Sequence, residues 1–197
     1  LNLSVADVES KVTGRTVALL PVHMCGSACD MDSLMSLARE KGLKVVEDNC
    51  QSTGASYKGR KLGTIGDAGA FSFDYVKVMT TGEGGMVTTN EERIYKEAEF
   101  YHDHGHPHLP GVGRGLEERR RNGFNYRMSE LQGALGLVQL KKLDEVISRQ
   151  RHNKKIIKEG LKDVPGLSFR FHHDPAGEIA TFLVFFLPDS QKVEKFK

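Results

Sequence analysis

Residues 16–48 read TVALLPVHMCGSACDMDSLMSLAREKGLKVVED, and this stretch decides the fold class. It opens on TVALLP at 16–21, a short apolar run with the look of a strand. Asp30 then stands where a helix needs an N-cap. Met31, Leu34, Met35 and Ala38 recur at i, i+3, i+4 and i+7, on one face of a helix. Gly42 follows at the position of a C-terminal cap. LKVVED then supplies a second apolar strand over 43–47. Strand, helix and strand within about thirty residues form a βαβ unit, and such a crossover joins parallel strands. The expectation is an α/β fold on a mostly parallel sheet with flanking helices.

Outward from this unit the chain stays rich in turns and short strands. Residues 53–67, TGASYKGRKLGTIGD, carry Gly54, Gly59, Gly63 and Gly66. AGAFSF at 68–73 reads as a buried strand, TTGEGG at 80–85 as a glycine-rich turn, and MVTTN at 86–90 as a strand. A helix is predicted over 91–101 and a loop over 102–121. Ser129 with Gln132 makes a capping box. Leu131, Leu135, Val138, Leu143, Val146 and Ile147 then mark the buried face of a long helix reaching about residue 161. Gly133 and Gly136 within it point to close packing. GLSFRF and TFLVFFLP near the end read as two more strands.

Composition narrows the function classes. The net charge of +2, from 28 basic and 26 acidic residues, gives no reason to expect nucleic acid as the main partner. Mean hydropathy is −0.40, and no apolar run approaches a membrane span. Cys25, Cys29 and Cys50 are too few for a disulfide scaffold and read as reduced cytoplasmic thiols. No secretory signal is visible. The 197 residues start at Leu1 and stop in a charged stretch at Lys197, so both ends read as cuts in a longer protein.

Three residues carry chemistry in combination. Asp48 stands at the carboxyl end of a predicted parallel strand, the edge where open α/β sheets bind ligands. Most such aspartates are turn residues. Lys77 follows a buried strand and precedes the glycine-rich turn. Desolvation there lowers a lysine's pKa and frees the amine that Schiff-base chemistry needs. Most lysines are solvated instead. Ser72 offers a hydroxyl for a phosphate at the end of its strand. Pyridoxal 5'-phosphate asks for these roles together: a lysine for its aldehyde, a carboxylate for its ring nitrogen, and donors for its phosphate.

The stretch at 47–90, EDNCQSTGASYKGRKLGTIGDAGAFSFDYVKVMTTGEGGMVTTN, resembles the core of the DegT/DnrJ/EryC1/StrS sugar aminotransferase family. GFNYRMSELQGALGLVQLKKL at 123–143 fits the same pattern, and the resemblance runs from PVHMCG onward. It implies fold type I, the aspartate aminotransferase architecture, with residues 1–147 in the large cofactor-binding domain. Residues 148–197 are then the linking helix and the start of a smaller α+β domain. It implies pyridoxal 5'-phosphate as cofactor, Lys77 as the Schiff-base lysine and Asp48 as partner of the ring nitrogen. By the same resemblance Gln51 would lie against the ring and Ser72 would contact the phosphate. Asn125 reaches the cofactor phosphate of a neighbouring subunit, so the active unit is a homodimer. Arg127 receives a substrate carboxylate or phosphate near that shared site, and His23 joins the substrate contacts with a less defined role.

The implied reaction moves the amino group of L-glutamate to a keto sugar. The spellings PVHMCG, SFDYVKVMTTGEGG and HDHGH are similar to the branch that makes 8-amino-3,8-dideoxy-manno-octulosonate for lipopolysaccharide. The family at large aminates keto sugars on nucleotide carriers, which is the alternative. Relatives that dehydrate sugars have His where Lys77 stands, so Lys77 favours transamination. The family's upstream phosphate-binding turn has no match before PVHMCG, which fits the reading of an internal fragment.

A different class is a metal-binding or interaction module built on HDHGHPH, with His102, His104, His106 and His108 in alternation. Alternate loop residues have no fixed direction, and a loop facing substrate or solvent is favoured. His104 in such a loop suits an acidic sugar. Cys25 and Cys29 lack C-x-x-C spacing and read as buried structural thiols. Arg119, Arg120 and Arg121 read as a solvated or subunit-facing loop, and His172 and His173 need no role.

Overall fold

The computed structural model describes residues 1–113, 115–118 and 121–188. Arg119 and Arg120 of the basic run lie outside the described residues. The βαβ unit forms as expected, from β1 (Ala18–Leu19) through α2 (Met31–Lys41) to β2 (Lys44–Asp48), after a short α1 (Val5–Lys11). Asp30 caps α2, its carboxylate accepting from the Ser33 backbone N–H at 3.3 Å. Its oxygens also take the Ser33 hydroxyl at 2.8 Å and the Tyr57 hydroxyl at 3.2 Å. Gly42 ends the helix in the left-handed region at φ 66°. Met31, Leu34 and Ala38 are buried against the sheet, and Met35 packs at their border. Replacing the cap, Asp30→Ala, should lower stability by about 1 kcal/mol, read as a lower denaturant midpoint at unchanged slope.

Two further strands complete the main sheet, β5 (Ala68–Ser72) and β6 (Gly85–Thr89). The order is β1-β2-β5-β6. β1 and β5 both run parallel to β2, and β6 runs antiparallel to β5. The sheet is therefore mostly parallel with an antiparallel edge. Between β2 and β5 the turn-rich stretch folds a small hairpin, β3 (Ser56–Tyr57) and β4 (Arg60–Lys61). α3 (Glu92–His102) follows β6. A two-stranded antiparallel sheet, β7 (Ser168–Phe169) with β8 (Phe185–Phe186), closes the described chain. These two strands are much shorter than the apolar runs that announced them.

α4 (Glu130–Leu161) is the predicted long helix, opened by the Ser129–Gln132 capping box. Its buried face is shorter than the periodicity implies. Leu143 and Ile147 enter the core with Leu19, Val45 and Phe73, whereas Leu131 is 84% and Leu137 65% exposed. The first half of α4 runs past the core, and no described element covers its leucines. Gly136 packs close, since a Cβ there would meet Thr81 Cγ2 at 3.2 Å, but Gly133 faces open space. Farther along, Lys154 pairs with Glu178 at 2.6 Å, with both side chains nearly buried. That pair ties α4 to the segment before β8. The expected 147/148 domain boundary falls inside this continuous helix.

Candidate active site

β2 and β5 are parallel neighbours, so their carboxyl ends share one edge of the sheet. Asp48 ends β2 in register with Ala70, and Ser72 ends β5 two residues on. One Asp48 carboxylate oxygen accepts the Cys50 backbone N–H at 2.9 Å. Cys50 shows what surrounds this edge. Its thiol is pushed up to about 11, by burial first and by the Asp48 carboxylate next, against the downward pull of the Lys77 ammonium. Asp48 and Lys77 thus act on one half-buried thiol, the first from the end of β2 and the second from the loop after β5.

The Lys77 loop is clamped at both ends. Phe73 N–H donates to Gly84 O at 2.8 Å, and Thr81 N–H donates to Phe73 O at 2.9 Å. Inside it, Lys77 N–H donates to Asp74 O at 3.0 Å. Helix α4 holds the glycine-rich turn from outside, with Gln132 Nε2 donating to Glu83 O at 2.7 Å. Gly85 must be glycine here, because a Cβ would sit 2.8 Å from Phe71 O across the ladder. Lys77 itself is half-buried, and among the described residues its amine makes no hydrogen bond or ion pair. A clamped loop thus carries a lysine amine left without a partner.

Other predicted residues are placed differently. Gln51 Oε1 accepts the Cys25 backbone N–H at 2.9 Å, pinning a residue in the left-handed region at φ 58°. His23 has no exposed surface. Its Nε2 lies 3.2 Å from Glu47 Oε2, and its Nδ1 accepts from Cys29 N–H at 3.1 Å. Both ring nitrogens are used inside the core. Cys29 is buried as expected, but Cys25 and Cys50 are only half-buried. His172 is tied into the core, its Nδ1 lying 2.8 Å from Ser27 Oγ and 3.5 Å from Glu178.

Asn125 and Arg127 belong to a separate ladder, where residues 101–104 pair with 124–126. Arg127 Nε donates to Asn125 Oδ1 at 2.9 Å and lies 3.3 Å from Asp103 Oδ1. His104 Nδ1 lies 3.1 Å from the same Asp103 oxygen. His106 instead turns inward to Glu117 at 3.1 Å. Among the described residues no group of three or more His, Cys, Asp or Glu is arranged to hold a metal ion. A cavity of about 680 Å³ runs along α3 past Lys44, Ile94 and Tyr101, and none of the candidate site residues lines it.

The residue that sequence reasoning missed is Glu47. It is fully buried, and its carboxylate accepts the backbone N–H groups of Gly63, Ile65 and Gly66 at 2.9, 2.7 and 2.7 Å. With His23 as a fourth partner, it fixes the glycine turn beneath β2 one residue before Asp48. Burial opposes its ionisation, but His23 and the three N–H groups outweigh this and hold the carboxyl below the usual range.

The whole of this chain, residues 1–197, matches the sequence pattern of the DegT/DnrJ/EryC1/StrS aminotransferase family. The chain belongs to that family. Among members, the GDP-perosamine synthase of Caulobacter vibrioides is 41% identical over 156 residues, covering 76% of this chain and 39% of that one. An aminotransferase from Psychrobacter cryohalolentis superposes with a TM-score of 0.80 at 38% identity, over 85% of this chain and 45% of that one. The GDP-4-keto-6-deoxy-D-mannose-3-dehydratase of E. coli, solved with bound hydrated PLP, superposes at 0.86 and 29% identity. That match covers all of this chain and 55% of the other. The chain spans less than half the length of the curated family members it matches. The fold is fold type I, an α/β sheet with flanking helices and a smaller C-terminal antiparallel sheet.

Proposed function

We propose that this chain is the catalytic core of a pyridoxal 5'-phosphate-dependent aminotransferase that moves the amino group of L-glutamate to a keto sugar. The observation that carries the reading is the unpartnered Lys77 amine on a clamped loop, with the Asp48 carboxylate acting on the same neighbourhood. The donor set fits the cofactor. Lys77 suits its aldehyde carbon, Asp48 its ring nitrogen, and Ser72 its phosphate, with Gln51 beside the ring and Asn125 from a partner subunit. The cofactor supplies an electron sink that makes a carbon–hydrogen bond beside the amine acidic. The chain's own residues do the rest. Asp48, with one oxygen held by Cys50 N–H, would pair its other oxygen with the ring nitrogen and keep that nitrogen protonated. Lys77 Nζ would take a proton from the amine-bearing carbon and return it one atom away. Arg127 and His104 serve the acidic groups of the substrate.

Family members named for GDP-linked sugars favour a nucleotide-linked keto sugar as acceptor. The 8-oxo-octulosonate reading rests on loop spelling, notably HDHGH at 102–106. Full-length protein with the cofactor and ¹⁵N-labelled L-glutamate decides between them. Label should enter GDP-4-keto-6-deoxy-mannose or a similar nucleotide sugar. Label entering only the octulosonate would reverse the choice, and label entering neither would remove the keto-sugar reading.

A homodimer with shared sites belongs to the same reading. Leu131, Leu137 and Leu140 on α4 lie exposed beside the clamped loop's anchor at Gln132, an apolar face that a second copy would cover. Sedimentation of the full-length protein should give a dimer. A cytoplasmic location belongs to the same proposal, supported by the three free thiols.

A further inference from the structure

Asp103 is 3% exposed although it stands in a loop at the end of α3. Its position is fixed by backbone. Asp103 N–H donates to Phe100 O at 3.3 Å, and the residue bridges antiparallel to Asn125. The rungs beside it are His104 N–H to Phe124 O at 2.9 Å, Phe124 N–H to Tyr101 O at 2.8 Å and Tyr126 N–H to His102 O at 2.8 Å. The carboxylate then gathers cationic or donor groups: His104 Nδ1 at 3.1 Å, His108 Nε2 at 3.4 Å and Arg127 Nε at 3.3 Å.

How Arg127 is held matters most. Its contacts with Asp103 and with Asn125 Oδ1 both use Nε. Among the described residues its two terminal nitrogens make no hydrogen bond, and the side chain is 39% exposed. A guanidinium gripped by its inner nitrogen presents the outer two as a fork that matches paired anionic oxygens. Arginine–carboxylate pairs are frequently bidentate, with two parallel bonds to both oxygens. Here the second Asp103 oxygen faces His108 instead.

We infer that Asp103 is a positioning residue acting through Arg127, holding its guanidinium as a receiver for a carboxylate or phosphate group. Which anion arrives rests on the aminotransferase reading. The carboxylate of L-glutamate, an acidic group of the sugar and a cofactor phosphate share the chemistry of paired anionic oxygens.

The test uses the full-length, cofactor-loaded protein with four forms: unchanged, Asp103→Asn, Arg127→Ala and both together. L-Glutamate and keto-sugar half-saturation and the cofactor's dissociation constant are measured. The one whose anion sits on the fork should weaken about tenfold in each single variant, with the limiting rate within about twofold. Asp103→Asn should add less than about twofold on top of Arg127→Ala, because both changes remove one interaction. An equal loss from Asp103→Asn in both backgrounds, or a lower melting temperature with unchanged half-saturation, would overturn the inference. Arg127→Lys leaves Asp103 in place but removes the Nε grip, and it should show the same tenfold loss; unchanged binding there also overturns it.

Calorimetric titration with inorganic phosphate keeps this separate from the catalytic reading. If the unchanged protein shows no response to L-glutamate, the aminotransferase reading fails. Weaker phosphate binding in the single variants would still support the fork, and equal binding in all four forms would refute it.

Discussion

Lys77→Ala should abolish amino transfer by the full-length protein, a loss of about 10⁴-fold or more in turnover. In the proposed reaction the side chain carries two tasks, attachment of the cofactor and movement of the proton, so no neighbour could replace it. Cys50 is a neighbour with a titratable proton, and its thiol is raised to about 11 by burial and the Asp48 carboxylate. It stays protonated at neutral pH and offers no base. Lys77→Arg should fail equally, because a guanidinium does not lose its proton. The fold should be indifferent to either change. The loop is held by Phe73, Thr81 and Gln132, not by the lysine amine. Steady-state turnover and a melting curve check both halves. Activity within tenfold of the unchanged protein would rule out Lys77 as the catalytic amine.

Glu47→Gln should cost the fold about 3 kcal/mol, the scale for removing one charged partner from a buried, hydrogen-bonded set. The amide keeps the shape but offers one acceptor where the carboxylate serves three backbone N–H groups and His23. Its NH₂ group would face donors. The sign with pH follows from the lowered carboxyl. A group whose pKa is depressed by folding stabilises the fold fully above its unfolded value. That contribution is lost as pH falls through the folded value. The gap between unchanged protein and Glu47→Gln should therefore be full at neutral pH and close as acid protonates Glu47. Urea unfolding at a series of pH values reads it, and a gap independent of pH would contradict the ionised-carboxylate account. Since Glu47 adjoins Asp48, the variant should also weaken cofactor binding.

Much of the architecture was legible because it depends on local signals. The α2 periodicity, the Asp30 and Ser129 caps and Gly42 act within a few residues, and each formed as the pattern required. The antiparallel β6 and the exposed half of α4 were not legible. Periodicity says that a face must be covered, but not by which chain. Seven-residue α1 buries no residue of its own, so it left no pattern to read.

The site divides in the same way. Asp48, Ser72 and Lys77 stood out because strand ends and a glycine turn announce them. Glu47 and Asp103 did not, because their meaning lies in partners far along the chain. A glutamate ending a strand reads as surface until three backbone N–H groups from 63–66 are seen around it. His23 also depends on distant partners. A histidine after a first strand reads as available, yet Glu47 and Cys29 take both nitrogens.

The measurement that bears most directly on the central claim is a visible absorbance titration of the full-length protein with pyridoxal 5'-phosphate. A Lys77-dependent band should form, fade on addition of L-glutamate with release of 2-oxoglutarate, and return on addition of a keto sugar. A protein that forms no such band, or whose band ignores L-glutamate, would contradict the account.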